Sequence, residues 1–404
     1  MSLVNFFHLS LNQGINVIVA LVVTQLLFQK LGEDQYGLVN LGFSIVLLLG
    51  IMVNYGFQLN GPKRLALIVD TVHAKSQLVN EILITKVILS VLLSSILLVC
   101  VYVFGFFAHY HIILVLSITV LLSEALFPMF ILQGLDHLSL LSKANIFAKS
   151  AYLCAIIVVI KSPLDAKWVN FIYGSAAILS NFVLLVYIYK KWSLKFRWVN
   201  LNLVLRRLKE NFQFFLSTIA GHISVHGGLI ILSNFVSDIE LGRYALAQRV
   251  AFLLRMIPVF LTQSILQHAS RLHSENKTSF VNYLKKAYRN GLLLTFLVGV
   301  VFVIMAPWVI RIVSGEFVDY SSDVLRLLSF IPFFGMLNVS NMIKILVAEN
   351  KEVLARAAWV TATTMLLIST VGSYYFGGYG LAISLLLTEL INCLIHTYLL
   401  RKKN

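Results

Sequence analysis

Twelve apolar stretches, most of them 20–26 residues long, fill the chain almost end to end. A helix of about 20 apolar residues crosses the roughly 30 Å hydrocarbon core of a bilayer, so nearly every stretch is long enough to span once. They run approximately 7–29, 38–60, 82–107, 111–133, 145–161, 169–189, 212–235, 243–267, 291–313, 322–346, 357–376 and 380–400, the fifth being short and carrying Lys149. The runs are continuous rather than alternating, which is the pattern of helices and not of lipid-facing barrel strands. Backbone polar groups in lipid must be paired within the segment, and a helix does this by itself. Only 12% of residues are charged, about half the fraction usual in soluble domains. No intervening segment is long enough to fold separately. The expectation is an all-α polytopic membrane protein with about twelve transmembrane helices.

The net charge of +15 orients such a bundle rather than pointing to nucleic acid. Placing both termini in the cytoplasm puts 23 of the 32 Lys and Arg in inside segments, the positive-inside bias expected for an even number of crossings. The three cysteines, Cys100, Cys154 and Cys393, all fall in apolar stretches and suggest neither a disulfide framework nor a metal cluster. The first apolar stretch lacks a basic leader and is too long for a signal peptide, so it is expected to remain as a helix.

The most basic connection, 190–211, contains Lys190, Lys191, Lys195, Arg197, Arg206, Arg207 and Lys209 and divides six stretches from six. It is expected to link an N-lobe, 1–195, to a C-lobe, 196–404. The lobes echo each other. Leu31-Gly32-Glu33-Asp34-Gln35-Tyr36-Gly37 follows the first stretch, and Leu241-Gly242-Arg243-Tyr244-Ala245 follows the seventh, 210 positions later. At the same offset the polar residues His8, Asn12 and Asn16 match Thr218, His222 and His226. Residues four apart share a helix face, so each lobe opens with a polar stripe. With six helices per lobe the repeats would be parallel. Pro128, Pro258, Pro307 and Pro332 lie inside stretches, where each removes a backbone donor and bends its helix.

Ionisable groups at mid-depth cost about 3 kcal/mol unless paired or wet, so they are the sharpest candidates for function. Glu124 and Glu389 are the acids deep in the stretches; either is a candidate site for ion coupling or a counter-ion. Arg255 lies near the middle of 243–267, with Gln248 and Thr262 seven residues away on its face. Its planar fork of donors suits phosphate oxygens; the alternative is a structural partnership with Glu124 or Glu389. Arg249, about 120° around the helix, and Lys86, four residues into its stretch, are weaker cationic candidates that could instead snorkel to an interface. His222 and His226 are spaced to chelate, but no third ligand stands nearby, so no metal is expected. No glycine-rich phosphate loop, hydrolase carboxylate pair or nucleophile elbow appears, and transport is expected rather than catalysis.

Several short motifs occur in an order that resembles Wzx-type O-antigen flippases, the polysaccharide-transport branch of the multidrug/oligosaccharidyl-lipid/polysaccharide exporter superfamily. They are Tyr36-Gly37, Asn54-Tyr55-Gly56-Phe57-Gln58-Leu59 followed by Lys63-Arg64, Gln133-Gly134-Leu135-Asp136 followed by Ala144-Asn145-Ile146-Phe147, Lys161-Ser162-Pro163, and Gly242-Arg243-Tyr244-Ala245-Leu246-Ala247. The resemblance covers the whole chain; Pro62, where a small polar residue is expected, departs from it. It implies two six-helix lobes arranged as a V around a cavity opening alternately to cytoplasm and periplasm, in the bacterial inner membrane. The implied cargo is an undecaprenyl-diphosphate-linked oligosaccharide, with membrane lipids and other polysaccharide-assembly proteins as partners, no cofactor, and H+ or Na+ as the coupling ion. On that reading Arg255, with Arg249 and Lys86, neutralises the diphosphate. The polar stripes, with Gln248 and Thr262, line the path of the sugars. A drug/cation antiporter of the same superfamily would want an acidic cavity. A membrane enzyme of polysaccharide assembly would want a sizeable external loop.

Overall fold

The computed structural model describes residues 3–68, 71–348 and 351–401, with side chains from Val17 onward except Gln267, Ser274, Lys277 and Lys351. The described residues are almost wholly helical and contain no strand. They divide into two compact units, Met1–His222 and Ile223–Asn404.

The first unit contains α1 (Leu3–Asn54), α2 (Phe57–Ala66), α3 (Val72–Tyr102), α4 (His111–Leu116), α5 (Ile118–Leu126), α6 (Met129–Gly134), α7 (Leu138–Val159), α8 (Ala166–Lys191) and the start of α9 (Leu201–Leu232). The second contains the end of α9, then α10 (Asp238–Glu275), α11 (Lys277–Ser314), α12 (Asp319–Leu328), α13 (Ile331–Leu337), α14 (Val339–Val347) and α15 (Lys351–Arg401). The segment Leu201–Asn211, expected as linker, is therefore helical, and the boundary between units falls inside α9.

Ten helical stretches among the described residues are long and apolar enough to cross a membrane, and two of these, Val17–Ala66 and Glu352–Arg401, are 50 residues long. At 1.5 Å per residue such a stretch is about 75 Å long, far beyond one crossing. A count of twelve takes each of them twice. Both contain a break: Gly32 in α1 (φ 77°, ψ 170°) and Gly377 in α15 (φ 55°, ψ −137°) lie outside helical space, where a side chain would be strained. The break at Gly377 is held by Glu240 of α10, whose Oε1 accepts from the Gly378 amide at 3.0 Å and from the Tyr320 hydroxyl. The sequence echo of Gly32 at Gly242 is not an echo of geometry, since Gly242 lies within regular α10.

Proline explains the second kind of interruption. Phe127, preceding Pro128, is forced out of helical space (φ −67°, ψ 111°), so one sequence stretch becomes α5 and α6. Among the described residues, two apolar cores hold the first unit together. Phe57, Leu65, Ile82, Phe130, Leu184 and Ile188 contribute to one, and Val46, Val53, Leu93, Leu114 and Leu121 to the other.

The turn between α1 and α2 shows how tightly α9 is seated in this unit. Tyr55 and Gly56 are both left-handed (φ 43° and 72°), and the Tyr55 ring stacks on Phe215 with centroids 4.4 Å apart. A Cβ at Gly56 would lie 2.7 Å from Phe214 Cβ and 2.8 Å from its carbonyl carbon. Gly56→Ala therefore adds left-handed strain of about 1–2 kcal/mol to a collision with backbone. A clear fall in the melting temperature of the purified protein is expected; an unchanged melt would refute this packing.

Candidate functional site

The interruption at Pro128 creates a polar site within the first unit. The helix bond that would satisfy the Phe127 carbonyl is lost, because the Ile131 amide donates instead to Pro128. Lys86 of α3 takes its place: its side chain is buried, and Nζ donates to the Phe127 oxygen at 3.0 Å. The structure thus seats Lys86 in the interior on a backbone carbonyl rather than at an interface. A buried ammonium needs such partners, and the Glu124 carboxylate lies within electrostatic range of it.

Glu124, in the last turn of α5, accepts a hydrogen bond of 2.7 Å from Asn54 Nδ2, at the end of α1. The same amide donates to the Gly50 carbonyl at 3.1 Å. Glu124 also lines a cavity of about 300 Å³ formed by α5, α7 and α8. Its polar walls are Ser123, Glu124, Asn145, Lys149, Tyr173, Ser180 and Asn181. Lys149 Nζ donates to the Tyr173 hydroxyl at 3.2 Å and stands 4.3 Å from the centre of its ring, a cation–π geometry. Phe43 and Tyr152 pack edge-on against that ring at 5.0 and 5.3 Å, fixing it. Asn181 Nδ2 donates to the Ser123 carbonyl at 3.1 Å. One carboxylate and one ammonium share a space large enough for a small hydrated cation, which the carboxylate would hold and the ammonium would compete with.

Sequence reasoning singled out Glu124 but not Lys149, which it noted as a charge within the short fifth stretch. The signal was available: Asn145 and Lys149 are four apart on α7, beside the small residues Ala144 and Ala148, so both polar groups share one face.

A second group of charges joins α2, α3 and α9 in the same unit. Glu81 is fully buried, and Arg207 nearly so. Arg207 Nε donates to Glu81 Oε2 at 2.5 Å and its Nη2 pairs with the same oxygen. Gln77 donates to the other Glu81 oxygen at 2.9 Å. Arg207 Nη1 and Arg64 Nη1 both reach Glu210 Oε2 at 2.7 Å. Glu81 escaped the sequence reading because it sits one residue before the third apolar stretch.

In the second unit Arg255 of α10 pairs with Glu389 of α15, Nη2 to Oε1, at 2.5 Å. The arginine side chain keeps 30% of its surface open and the glutamate 13%. Both deep residues are thus partners of each other, and the arginine side chain stays partly accessible. Arg249 carries a buried Nε without a hydrogen-bond partner among the described residues. Gln248 is buried, and the Thr262 hydroxyl donates back to the Pro258 carbonyl at 2.7 Å.

The expected polar stripe of α9 is divided by the unit boundary. In the first unit Thr218 donates to the Phe214 carbonyl at 2.8 Å, and His222 Nδ1 lies 2.9 Å from the Thr218 carbonyl. In the second, the His226 ring packs edge-on to Phe252 at 6.5 Å. The side chains of His8, Asn12 and Asn16 lie outside the described residues. Among the described residues no three His, Cys, Asp or Glu gather as a metal site.

Residues 2–267 match the family described as "Polysaccharide biosynthesis protein". The chain is 24% identical to the "Putative O-antigen transporter" of Escherichia coli (strain K12), over 98% of this chain and 95% of that one. It is also 24% identical to a protein of the same description from Shigella dysenteriae, over 96% and 97%. Among solved structures it is similar to the lipid II flippase MurJ in an inward closed conformation, with a TM-score of 0.79 at 14% identity, covering 99% of this chain and 88% of that one. An inward-facing multidrug resistance MATE family transporter of the MOP superfamily matches with a TM-score of 0.72 at 12% identity, covering 97% and 94%. The fold is the one these transport proteins share.

Proposed function

Since the chain belongs to the polysaccharide biosynthesis protein family, we propose that it is a flippase carrying an undecaprenyl-diphosphate-linked oligosaccharide, an O-antigen or surface-polysaccharide repeat unit, from the cytoplasmic to the periplasmic leaflet by alternating access. Family membership across residues 2–267 is the observation that carries this reading. The names of the full-length relatives support the cargo class. In this reading the protein is not an enzyme, it lies in the bacterial inner membrane, and both termini are cytoplasmic. No nucleic acid takes part.

The chemistry follows from the charges. A sugar diphosphate cannot cross hydrocarbon unaided, whereas its prenyl tail remains in lipid. Arg255 offers a guanidinium whose fork matches phosphate oxygens. A diphosphate arriving there competes with Glu389 for the same donors, and the displaced carboxylate becomes free to take a proton. Arg249 is the second cationic candidate on α10. Lys86, seated on the Phe127 carbonyl, acts instead by fixing the broken helix that carries Glu124. Gln248, Thr262 and the stripes His8/Asn12/Asn16 and Thr218/His222/His226 remain the proposed hydrogen-bonding path for sugar hydroxyls.

The cavity of Glu124 and Lys149 is the proposed coupling-ion site of the first unit, for H+ or Na+. An ion drives the cycle only by binding one state better than the other. Glu124→Gln is nearly isosteric and removes the charge. Its residual flipping rate is expected to equal that of the wild type with the ion gradient collapsed, at unchanged abundance. A variant still accelerated by the gradient would remove Glu124 from coupling.

The cargo itself is tested in a deletion strain. Lipid-linked repeat units should accumulate facing the cytoplasm and be cleared when this gene is returned. Absence of accumulation, with drug sensitivity in its place, would favour an antiporter.

A further inference from the structure

The connection between α8 and α9 is basic, aromatic and anchored. From Ala166 to Lys209 the chain contains no Asp or Glu. Lys190, Lys191, Lys195 and Arg197 are all exposed, and none forms an ion pair among the described residues. Among these cations stand two rings open to their surroundings, Phe196 at 60% and Trp198 at 84% exposure, packed edge-on to each other with centroids 5.6 Å apart. Water is a poor solvent for such a ring pair, and tryptophan is the residue that settles at the membrane–water boundary.

The segment is not a loose tether. Leu194 is buried in the core formed by α2, α3, α6 and α8. The next residue is clamped to the first turns of α3: the Lys195 amide donates to Ser76 Oγ at 3.1 Å, and Asn80 Nδ2 donates to the Lys195 carbonyl at 2.8 Å. The Tyr189 hydroxyl orients Asn80 by donating to its Oδ1 at 2.6 Å. The rings and cations therefore start from a fixed point at the end of the membrane-spanning helix α8. Lys191 is already drawn over Trp192, 4.8 Å from its ring centre.

We propose that the strap Lys190–Trp198 docks on the surface of the adjoining leaflet, with Phe196 and Trp198 seated at the headgroup–acyl boundary and Lys190, Lys191, Lys195 and Arg197 binding the phosphates of anionic phospholipids. Charge complementarity decides the occupant, because four uncompensated cations within eight residues favour anionic over zwitterionic headgroups. Aromatic insertion supplies the apolar share. The proposal is independent of the transported cargo.

The test uses the full chain reconstituted in vesicles of phosphatidylcholine, alone or mixed with phosphatidylglycerol. In a variant with Trp168, Trp192, Trp308 and Trp359 replaced by Phe, Trp198 fluorescence is expected to be quenched by phospholipids brominated near the headgroup end of their chains. Spin-labelled phosphatidylglycerol is expected to be preferred over phosphatidylcholine, and Lys190→Gln/Lys191→Gln/Lys195→Gln/Arg197→Gln to lower that preference by about threefold or more. Should the fourfold variant fail to fold, Lys190→Gln/Lys191→Gln and Lys195→Gln/Arg197→Gln provide the same comparison. Unquenched Trp198 or an unchanged lipid preference would overturn the proposal. So would a loss of binding confined to a prenyl diphosphate probe with phosphatidylglycerol unaffected, since that would make the strap a cargo-capturing element.

Discussion

Export of the lipid-linked glycan is expected to fall by roughly ten- to hundredfold when Arg255 is replaced by alanine, the range that follows from losing a charged hydrogen bond of about 1.5–3 kcal/mol. The substitution also strands Glu389, which is only 13% exposed, so a fall in export alone would not separate cargo binding from folding. The paired substitution Arg255→Gln/Glu389→Gln does. It keeps two groups that can hydrogen-bond and removes both charges. Membrane abundance should return towards the wild-type level while export stays low. Arg255→Lys should retain part of the activity, because the charge survives and the planar fork does not. Full export by the alanine variant would exclude a central role for this side chain. Recovery of export in the neutral pair would assign Arg255 to scaffold alone.

The largest effect on stability is expected at Arg207. Its replacement by alanine leaves the fully buried Glu81 carboxylate without its guanidinium, and removing one partner of a buried pair costs about 3–5 kcal/mol. The purified variant should lose monodisperse protein on heating well before the wild type. Replacing both partners, Glu81→Leu/Arg207→Leu, should recover much of the loss, because the uncompensated charge disappears with its partner. Glu210 stays paired with Arg64 in either case. If the double variant is no more stable than Arg207→Ala, packing and not charge is what this contact supplies.

The membrane class, the approximate spans and the bend at Pro128 were legible in the sequence because each follows from local chemistry: apolar run length, or a missing backbone donor. The partners of the deep charges were not. Glu81 and Arg207 are 126 residues apart, Asn54 and Glu124 are 70, and Arg255 and Glu389 are 134. Nothing in a single chain's pattern encodes which helix faces meet. For Arg255 the sequence narrowed the partners to two acids and the fold selected one. Lys86 was harder still, because its partner is a main-chain carbonyl released by Pro128, a consequence visible only when proline and lysine are considered together. The breaks at Gly32 and Gly377 fall in the gaps that the apolar stretches leave at 30–37 and 377–379. What run length did not show is that each pair of stretches belongs to one continuous helical element, interrupted at a single glycine.

Because α9 is a single helix whose first turns are riveted to α2 and α3, where the polypeptide can be severed is already decided. Two fragments meeting at residue 195 would separate Glu81 from Arg207, Asn60 from Asn211 and Tyr55 from Phe215, and would have to rebuild those contacts across a gap. Fragments meeting between Leu232 and Asp238, where α9 has ended and α10 has not begun, keep every one of them in a single piece. Co-expressed halves should complement from the second break and fail from the first.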